Sequence, residues 1–188
     1  TRESMSVGQE GASLIRKFIE ENDVDSALSL SETYLEILPD PRIANPPSNP
    51  IVATSYDTKS RIDEWQYAEF LRKEFPQITL LDPWKALEFV CKRLCEFLEF
   101  DNTDSEDRYG DSMYISRPAI EEHEQNHMRD GIEHALIKSI RDIALSFVNG
   151  DAERLRRVVE LLESKQWAVF RRVVLFLLSK QPSLALDL

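Results

Sequence analysis

Two histidines and a glutamate near the middle of the chain, His123, Glu124 and His127, form the pattern H-E-x-x-H. Imidazoles four residues apart lie on one face of a helix and can bind the same zinc ion. The carboxylate between them can deprotonate the zinc-bound water, which makes Glu124 the candidate general base. His134 lies two helical turns after His127 and is the candidate third ligand. One interpretation is therefore a metallohydrolase with zinc as its cofactor.

The spacing of the third ligand argues against this interpretation. In the metzincin proteases the pattern continues as H-E-x-x-H-x-x-G-x-x-H, and the glycine breaks the helix so that the third histidine can reach the metal. Gly131 and His134 each come one residue late. Charged and amide side chains also surround the histidines between Glu121 and Asp130. We therefore favour a polar helix whose histidines bond to neighbouring elements, with no catalytic residue, metal or cofactor.

Charged segments give two further candidate sites, and neither is favoured. The acidic loop from Asp101 to Ser112 lacks the spacing of glycine and distal glutamate that an EF-hand calcium loop requires. A basic hairpin near the C terminus could face nucleic acid. The net charge of -11 argues against that partner, so we expect the basic side chains to pair with acidic residues of adjacent helices. These basic residues are Arg154, Arg156, Arg157, Lys165, Arg171 and Arg172.

The elements that must position these residues are predicted to be helices. Gly is scarce, with five residues in the chain, and apolar side chains recur at three- and four-residue spacing. Candidate N-caps are Asp23 or Asp25, Asp82 and Asp151, and candidate ends are Pro39, Pro76 and Asn149-Gly150. The predicted helices cover about residues 12–21, 25–38, 61–75, 83–100, 118–147, 151–164 and 165–180, and Gly131 could bend the fifth of them.

Some large or reactive side chains fall on the apolar faces of these helices. Trp65, Trp84 and Trp167 have apolar neighbours and are predicted to anchor the core. Cys91 and Cys95 lie four residues apart beside apolar residues, and we expect buried, reduced thiols there.

The order of the predicted elements indicates an all-α fold. No alternating strand pattern persists, and short loops between the last three helices favour antiparallel neighbours. Such hairpins are typical of an α-solenoid of the HEAT or tetratricopeptide kind. We predict an N-terminal helical hairpin over residues 1–38, a proline-rich loop or linker over 39–60, and a helical-repeat-like domain over 61–188.

The two termini of the chain and its apolar runs indicate where in the cell the protein is located. No signal peptide is recognisable at the N terminus, and the longest apolar run, Val173 to Leu178, is too short to span a bilayer. We predict a cytoplasmic protein without membrane contact. The chain does not begin with Met and still has apolar residues at its last positions, so we expect a fragment of a longer protein.

Three stretches carry a resemblance to a known family: RIDEWQYAEFL, YISRPAIEEHEQN followed by ALIKSIRDIAL, and LLESKQWAVFRRVVLFLL. Together they resemble the helical region downstream of the nucleotide-binding module in large bacterial NTPases of the STAND or NACHT-like type, several of them linked to phage defence. The resemblance covers roughly the latter two thirds of the chain and includes no catalytic signature. It implies that the enzyme activity of the parent protein lies elsewhere and that the stretch RPAIEEHEQN is the start of a structural helix.

These observations favour a non-catalytic helical scaffold that binds protein, either a partner or other domains of its parent chain. The zinc hydrolase is the alternative, with His123, His127 and His134 as metal ligands and Glu124 as base. Nucleic acid is a disfavoured partner, and the sequence does not determine the oligomeric state.

Overall fold

A computed structural model describes residues 2–39, 59–101, 119–121 and 131–185 of the chain. The described residues are mostly helical, with one short antiparallel ribbon that pairs Ile37 with Ser60. The all-α prediction is therefore confirmed. The helices are α1 (Arg2–Glu20), α2 (Val24–Tyr34), α3 (Glu64–Lys73), α4 (Phe75–Leu81), α5 (Pro83–Asp101), α6 (Ile132–Val148), α7 (Ala152–Glu163), α8 (Ala168–Lys180) and α9 (Pro182–Ala185), and the strands are β1 (Ile37–Leu38) and β2 (Lys59–Ser60).

Aspartate caps fix the start of several helices, as the sequence predicts. Asp23 accepts the backbone N–H of Ser26 at 3.0 Å, which selects it over Asp25 as the cap of α2. Asp82 and Asp151 accept the corresponding N–H groups of α5 and α7 at 2.9 and 3.0 Å. Each cap pairs a backbone donor that the first turn of a helix otherwise leaves unsatisfied. Asp63 caps α3 in the same way at 2.9 Å, a cap that the sequence reasoning did not single out.

Helix α6 lies at the centre of the described core. It packs against α5, α3, α7 and α8, so it joins the N-terminal and C-terminal helices. Its buried residues recur at the helical period and cover about half of its circumference, a wide face that suits contact with several helices. Its fully or nearly fully buried apolar residues are Ile132, Leu136, Ile137, Ile140, Ala144 and Val148.

The N-terminal hairpin and the ribbon pack on the same core. Helices α1 and α2 contact each other and both contact α4, while β1 contacts α5. Ion pairs tie α2 to α5 at the surface, with Lys85 2.7 Å from Asp25 and Lys92 2.7 Å from Glu32. The division into residues 1–38, 39–60 and 61–188 stays a prediction.

One predicted helix end is wrong and another is only part of what the structure shows. Helix α2 was expected to continue to Leu38, but it ends at Tyr34, and Ile37 and Leu38 form β1. The helix expected to close at Pro76 does end nearby, at Lys73. Pro76, however, lies in the first turn of a further helix, α4, where its missing N–H would have no helical partner in any case.

The segment predicted as a helix over residues 118–147, with a bend allowed at Gly131, is not helical at every described residue. Ala119, Ile120 and Glu121 are not helical, and Gly131 has an extended backbone with φ -75° and ψ 169°. Helix α6 begins at Ile132. Its predicted end is confirmed, because Asn149 and Gly150 adopt positive φ angles of 38° and 79°, which terminate α6.

Of the three tryptophans predicted to anchor the core, Trp167 is buried and Trp84 is half-buried against Phe147. The prediction is wrong for Trp65, whose side chain is 69% exposed. In the part of the chain that the structure describes, no helix is both long enough and apolar enough to cross a membrane.

Candidate functional site

The H-E-x-x-H stretch lies outside the described residues, which include neither His123, Glu124 nor His127. His134 lies in the first turn of α6 and is half-buried. Gly131 is extended and precedes that turn, so the helix that carries His134 does not continue through Gly131. The zinc site itself stays a prediction.

The described residues on either side of this stretch are anchored in the core. Ile120 and Ile132 are buried, and the buried guanidinium of Arg141 donates to the carbonyl oxygen of Ile120 at 3.0 Å. Lys180 of α8 lies 3.0 Å from Glu121. Packing and hydrogen bonds thus fix the backbone at residues 120–121 and at the start of α6.

The described residues offer little for nucleophilic or metal chemistry. They contain no cluster of three or more histidine, cysteine, aspartate or glutamate side chains that could hold a metal ion. Cys91 is buried and free, as predicted, and Cys95 is half-buried and free. Burial raises the pKa of both thiols, so they stay protonated and are poor nucleophiles at neutral pH.

The basic hairpin pairs with acids of adjacent helices only in part. Arg171 of α8 lies 3.8 Å from Glu163 of α7, as predicted, whereas Arg156 lies 2.8 Å from Glu153 of its own helix. Arg154 donates to the carbonyl oxygen of Phe147 at 3.3 Å, and the guanidinium of Arg157 stacks 3.6 Å from the centre of the Trp84 ring. These last two contacts join α7 to α6 and α5.

The feature of the described surface that best fits a binding site is a groove between α1 and α3, hereafter the α1–α3 groove. Its volume is about 270 Å³. Tyr34 and Phe70 are buried beneath it, with ring centres 5.0 Å apart, and the exposed ring of Trp65 stands at its side. The lining residues are Ala12, Arg16, Tyr34, Trp65, Gln66, Glu69, Phe70, Lys73 and Glu74.

The sequence at the start of α3 determines which residues of this helix line the groove. The Asp63 cap sets the start of the helix, so Trp65, Glu69 and Lys73 follow at four-residue intervals along one face. This spacing is the signal that could have identified Trp65 as exposed. The tryptophan shares its helical face with an acid and a base, whereas the buried Tyr67 and Leu71 lie on the opposite side.

On the opposite wall of the groove, Gly11 of α1 allows the ring of Tyr34 to pack closely against the helix. A Cβ atom added to Gly11 would lie 2.8 Å from Cδ2 and 3.1 Å from Cε2 of Tyr34, closer than side chains tolerate. The absence of a side chain therefore lets the tyrosine ring pack against the backbone of α1. Ala12 and Arg16, one helical turn apart, then face the groove.

The charges of the groove are arranged in pairs with unequal exposure. Arg16 Nε lies 3.1 Å from Glu74 Oε2, and their side chains are 53% and 25% exposed. Glu69 accepts from Lys73 and Arg72, and hydrogen bonds from these two residues hold the pKa of its carboxyl below its usual range. The Glu69 side chain is 19% exposed, against 62% for Lys73 and 67% for Arg72. Each cation is thus more exposed than the acid with which it pairs.

The chemistry of the α1–α3 groove suits binding rather than catalysis. Its acids are paired with bases, and no cysteine, histidine or serine lines it. Its volume is below the roughly 300–1,000 Å³ of typical small-molecule sites, so it suits one or two side chains of a larger ligand. Exposed tryptophan and arginine around a small pocket are typical of residues that contribute most to protein–protein binding.

Comparison with models of protein families finds no match, and comparisons with curated proteins and with solved structures find no significant match. The resemblance to the helical region of STAND or NACHT-like NTPases therefore stays a prediction.

Proposed function

We propose that this chain is a non-catalytic helical scaffold that binds a segment of protein in the α1–α3 groove. The observation that carries the proposal is the position of Trp65, an aromatic ring 69% exposed beside a groove floored by Tyr34 and Phe70. Other exposed large apolar side chains in the described residues are aliphatic, and single exposed aliphatic residues are common on monomer surfaces.

Binding of a ligand at Trp65 is favourable because an exposed indole ring is costly in water. Trp65 leaves most of its large apolar surface in water, and covering it with a ligand recovers the hydrophobic free energy of that surface. The rings of Tyr34 and Phe70 are held by the core and need no rearrangement on binding. A preorganised site of this kind loses little conformational entropy when a ligand binds.

The order of the helices supports a repeat-like scaffold. We infer that α6, α7, α8 and α9 continue an α-solenoid-like series, because each packs on its neighbour in the chain through short connections. The contact between α3 and α6 joins elements that are distant in sequence, which a simple solenoid does not require.

The wider context of this scaffold rests on the resemblance described above. We infer that it belongs to a large bacterial NTPase of the STAND or NACHT-like type, with nucleotide chemistry in another part of that protein. The cytoplasmic location that the sequence suggests is part of this proposal. The groove would then hold either a partner protein or another segment of the parent.

A display selection tests the proposal. Short random peptides are selected on the immobilised wild-type chain and then measured against Trp65→Ala and Leu175→Ala. Leu175 is the matched control, because it is 61% exposed on α8 and does not line the groove. We expect selected peptides to lose most of their affinity on Trp65→Ala and to keep it on Leu175→Ala. Peptides that bind all three proteins equally would refute a role for the groove.

A further inference from the structure

We propose that the hairpin of α1 and α2 opens as a separate unit, and that a seam of charged residues between α2 and α5 latches it to the body of the protein. The body is the described part of the chain from β1 to α9. Opening requires no ligand, whereas its consequence for the α1–α3 groove rests on the proposed function.

The hairpin has less packing against the body than the helices of the body have among themselves. Beyond each other, α1 and α2 make their main backbone contacts with α4, a helix of seven residues. Between residues 10 and 20, α1 buries only Ile15, and α2 buries Ala27, Ser31 and Tyr34, whereas α6 alone buries eight residues. Regions with few buried apolar contacts open at lower free energy than the core.

The charged seam consists of two acids of α2 and two lysines of α5. Lys85 Nζ lies 2.7 Å from Asp25 Oδ1. Lys92 Nζ lies 2.7 Å from Glu32 Oε1. Both pairs join residues 60 apart in the chain, so the acids and the lysines have the same spacing of two helical turns, and each set shares one helical face. Helices α2 and α5 therefore run in the same direction along the seam, with their charges in register.

The seam is a weak and salt-dependent latch. Its four side chains are 44% to 77% exposed, so water solvates them in the open state and offsets most of the attraction within each pair. The guanidinium of Arg93, which is nearly buried, adds a longer contact of 3.9 Å to Glu32. Dissolved salt screens pairs at this exposure, so high salt should favour the open hairpin.

The end of α2 provides the hinge. Strand β1 pairs with β2 and contacts α5, so it stays with the body when α2 moves away. The backbone N–H of Arg61 also donates to the carbonyl oxygen of Glu36 at 3.0 Å. Leu35, the C-cap of α2, lies between the moving helix and this fixed ribbon, and its backbone dihedrals would absorb the rotation.

Opening of the hairpin removes one wall of the α1–α3 groove. Ala12, Arg16 and Tyr34 belong to the hairpin, whereas Trp65 and Phe70 belong to α3. A ligand that contacts both walls binds only the closed form and shifts the population toward it. The charged seam thus controls the affinity of the groove although none of its four residues lines the groove.

Hydrogen exchange of the ligand-free protein, followed by mass spectrometry, tests the opening. We expect the slowest amides of α1 and α2 to share one opening constant, larger than that of α6 by about tenfold or more. The double variant Lys85→Gln with Lys92→Gln should raise this constant about threefold to tenfold, the effect of losing two exposed ion pairs. Added NaCl should raise it more in the wild type than in the double variant. The control Arg156→Gln, which removes an exposed ion pair within α7, should leave it unchanged.

Val158→Ala distinguishes a hairpin that opens alone from one that opens with the core. Val158 is fully buried in α7, which packs on α6, α8 and α9, so the variant destabilises the body and leaves the attachment of the hairpin intact. We expect faster exchange in α6 and unchanged exchange in α1 and α2. Equal acceleration in all three helices would overturn the separate unit. An unchanged opening constant in the double lysine variant would overturn the seam as its latch.

The selected peptides separate this inference from the proposed function. Peptides that depend on Trp65 and slow the exchange of α1 and α2 would support the coupling between groove and hairpin. Peptides that depend on Trp65 but leave this exchange unchanged would overturn the coupling and retain the groove as a binding site. A hairpin that opens alone in a protein that selects no such peptide would overturn the proposed function and support the opening.

Discussion

Replacement of Tyr67 by phenylalanine should stabilise the protein, against the usual direction of core substitutions. Tyr67 lies in α3 with no exposed surface, and its hydroxyl has no hydrogen-bond partner among the described residues. Burial of a hydroxyl without a partner costs roughly 1–3 kcal/mol. Phenylalanine keeps the ring and removes that cost, although it loses a few van der Waals contacts of the oxygen atom. We expect a net gain of about 1 kcal/mol in the free energy of unfolding.

The same residue should impose a pH dependence at alkaline pH. Burial raises the pKa of the Tyr67 hydroxyl well above its ordinary value of 10.0, so the folded state keeps the proton when the unfolded state loses it. The unfolded state then binds fewer protons, and stability falls as pH rises above about 10. One such group changes the free energy of unfolding by up to about 1.4 kcal/mol per pH unit. The stability advantage of Tyr67→Phe should therefore widen over that range.

Urea denaturation followed by circular dichroism at pH 7 and above pH 10 measures both effects. A gain of 1 kcal/mol corresponds to a rise of about 2–4 °C in Tm for a chain of this size. At pH 7 the control is Tyr34→Phe, because that ring lines the open groove and its hydroxyl is not among the buried unpaired groups. A loss of more than about 1 kcal/mol in Tyr67→Phe would show that the hydroxyl has a partner and would refute the reasoning.

Three further outcomes are expected. Gly11→Ala should destabilise the protein by about 1 kcal/mol in urea denaturation, because the clash with Tyr34 exceeds the gain in helix propensity. Asp82→Ala should cost about 1 kcal/mol by removing the cap of α5, whereas Asp82→Asn should retain most of it, and equal losses would contradict the cap. Metal analysis of the untagged protein should find less than one equivalent of zinc, unchanged in His123→Ala. Stoichiometric zinc that this variant loses would instead establish the metal site.

Local signals in the sequence predict much of the fold correctly. The caps at Asp82 and Asp151 and the stop at Asn149-Gly150 each depend on residues within one helical turn, so the pattern alone identifies them. The central helix α6 is likewise predicted by its period, although its start depends on the extended backbone of Gly131.

Signals with two meanings account for the errors. A proline can follow a helix or occupy its first turn, and nothing in the residues beside Pro76 decides between these positions. Leu35 and Leu38 fit the helical period of α2, but Ile37 pairs with Ser60, which follows in the chain only after the proline-rich segment. The end of the predicted helix is therefore part of the ribbon. Long-range pairing of this kind overrides a local preference.

The α1–α3 groove could not be predicted from the sequence. Its two walls are separated by α2 and the ribbon, and they meet only because α1, α2 and α4 pack together. The exposure of Trp65 was predictable in part, since Glu69 and Lys73 share its helical face. The close approach of Tyr34 to Gly11 depends on tertiary packing and has no local signal.

The central position of α6 has a consequence for synthesis on the ribosome. Helices α3 and α5 bury apolar surface on α6, but α6 is translated only after them. From the end of α5 at Asp101 to the end of α6 at Val148, elongation at about 5–20 residues per second takes roughly 2–10 s. During that interval the apolar surface that α3 and α5 later bury on α6 lacks this partner. Completion of the core therefore waits for α6, and chaperones that bind nascent apolar segments should engage the chain in this window.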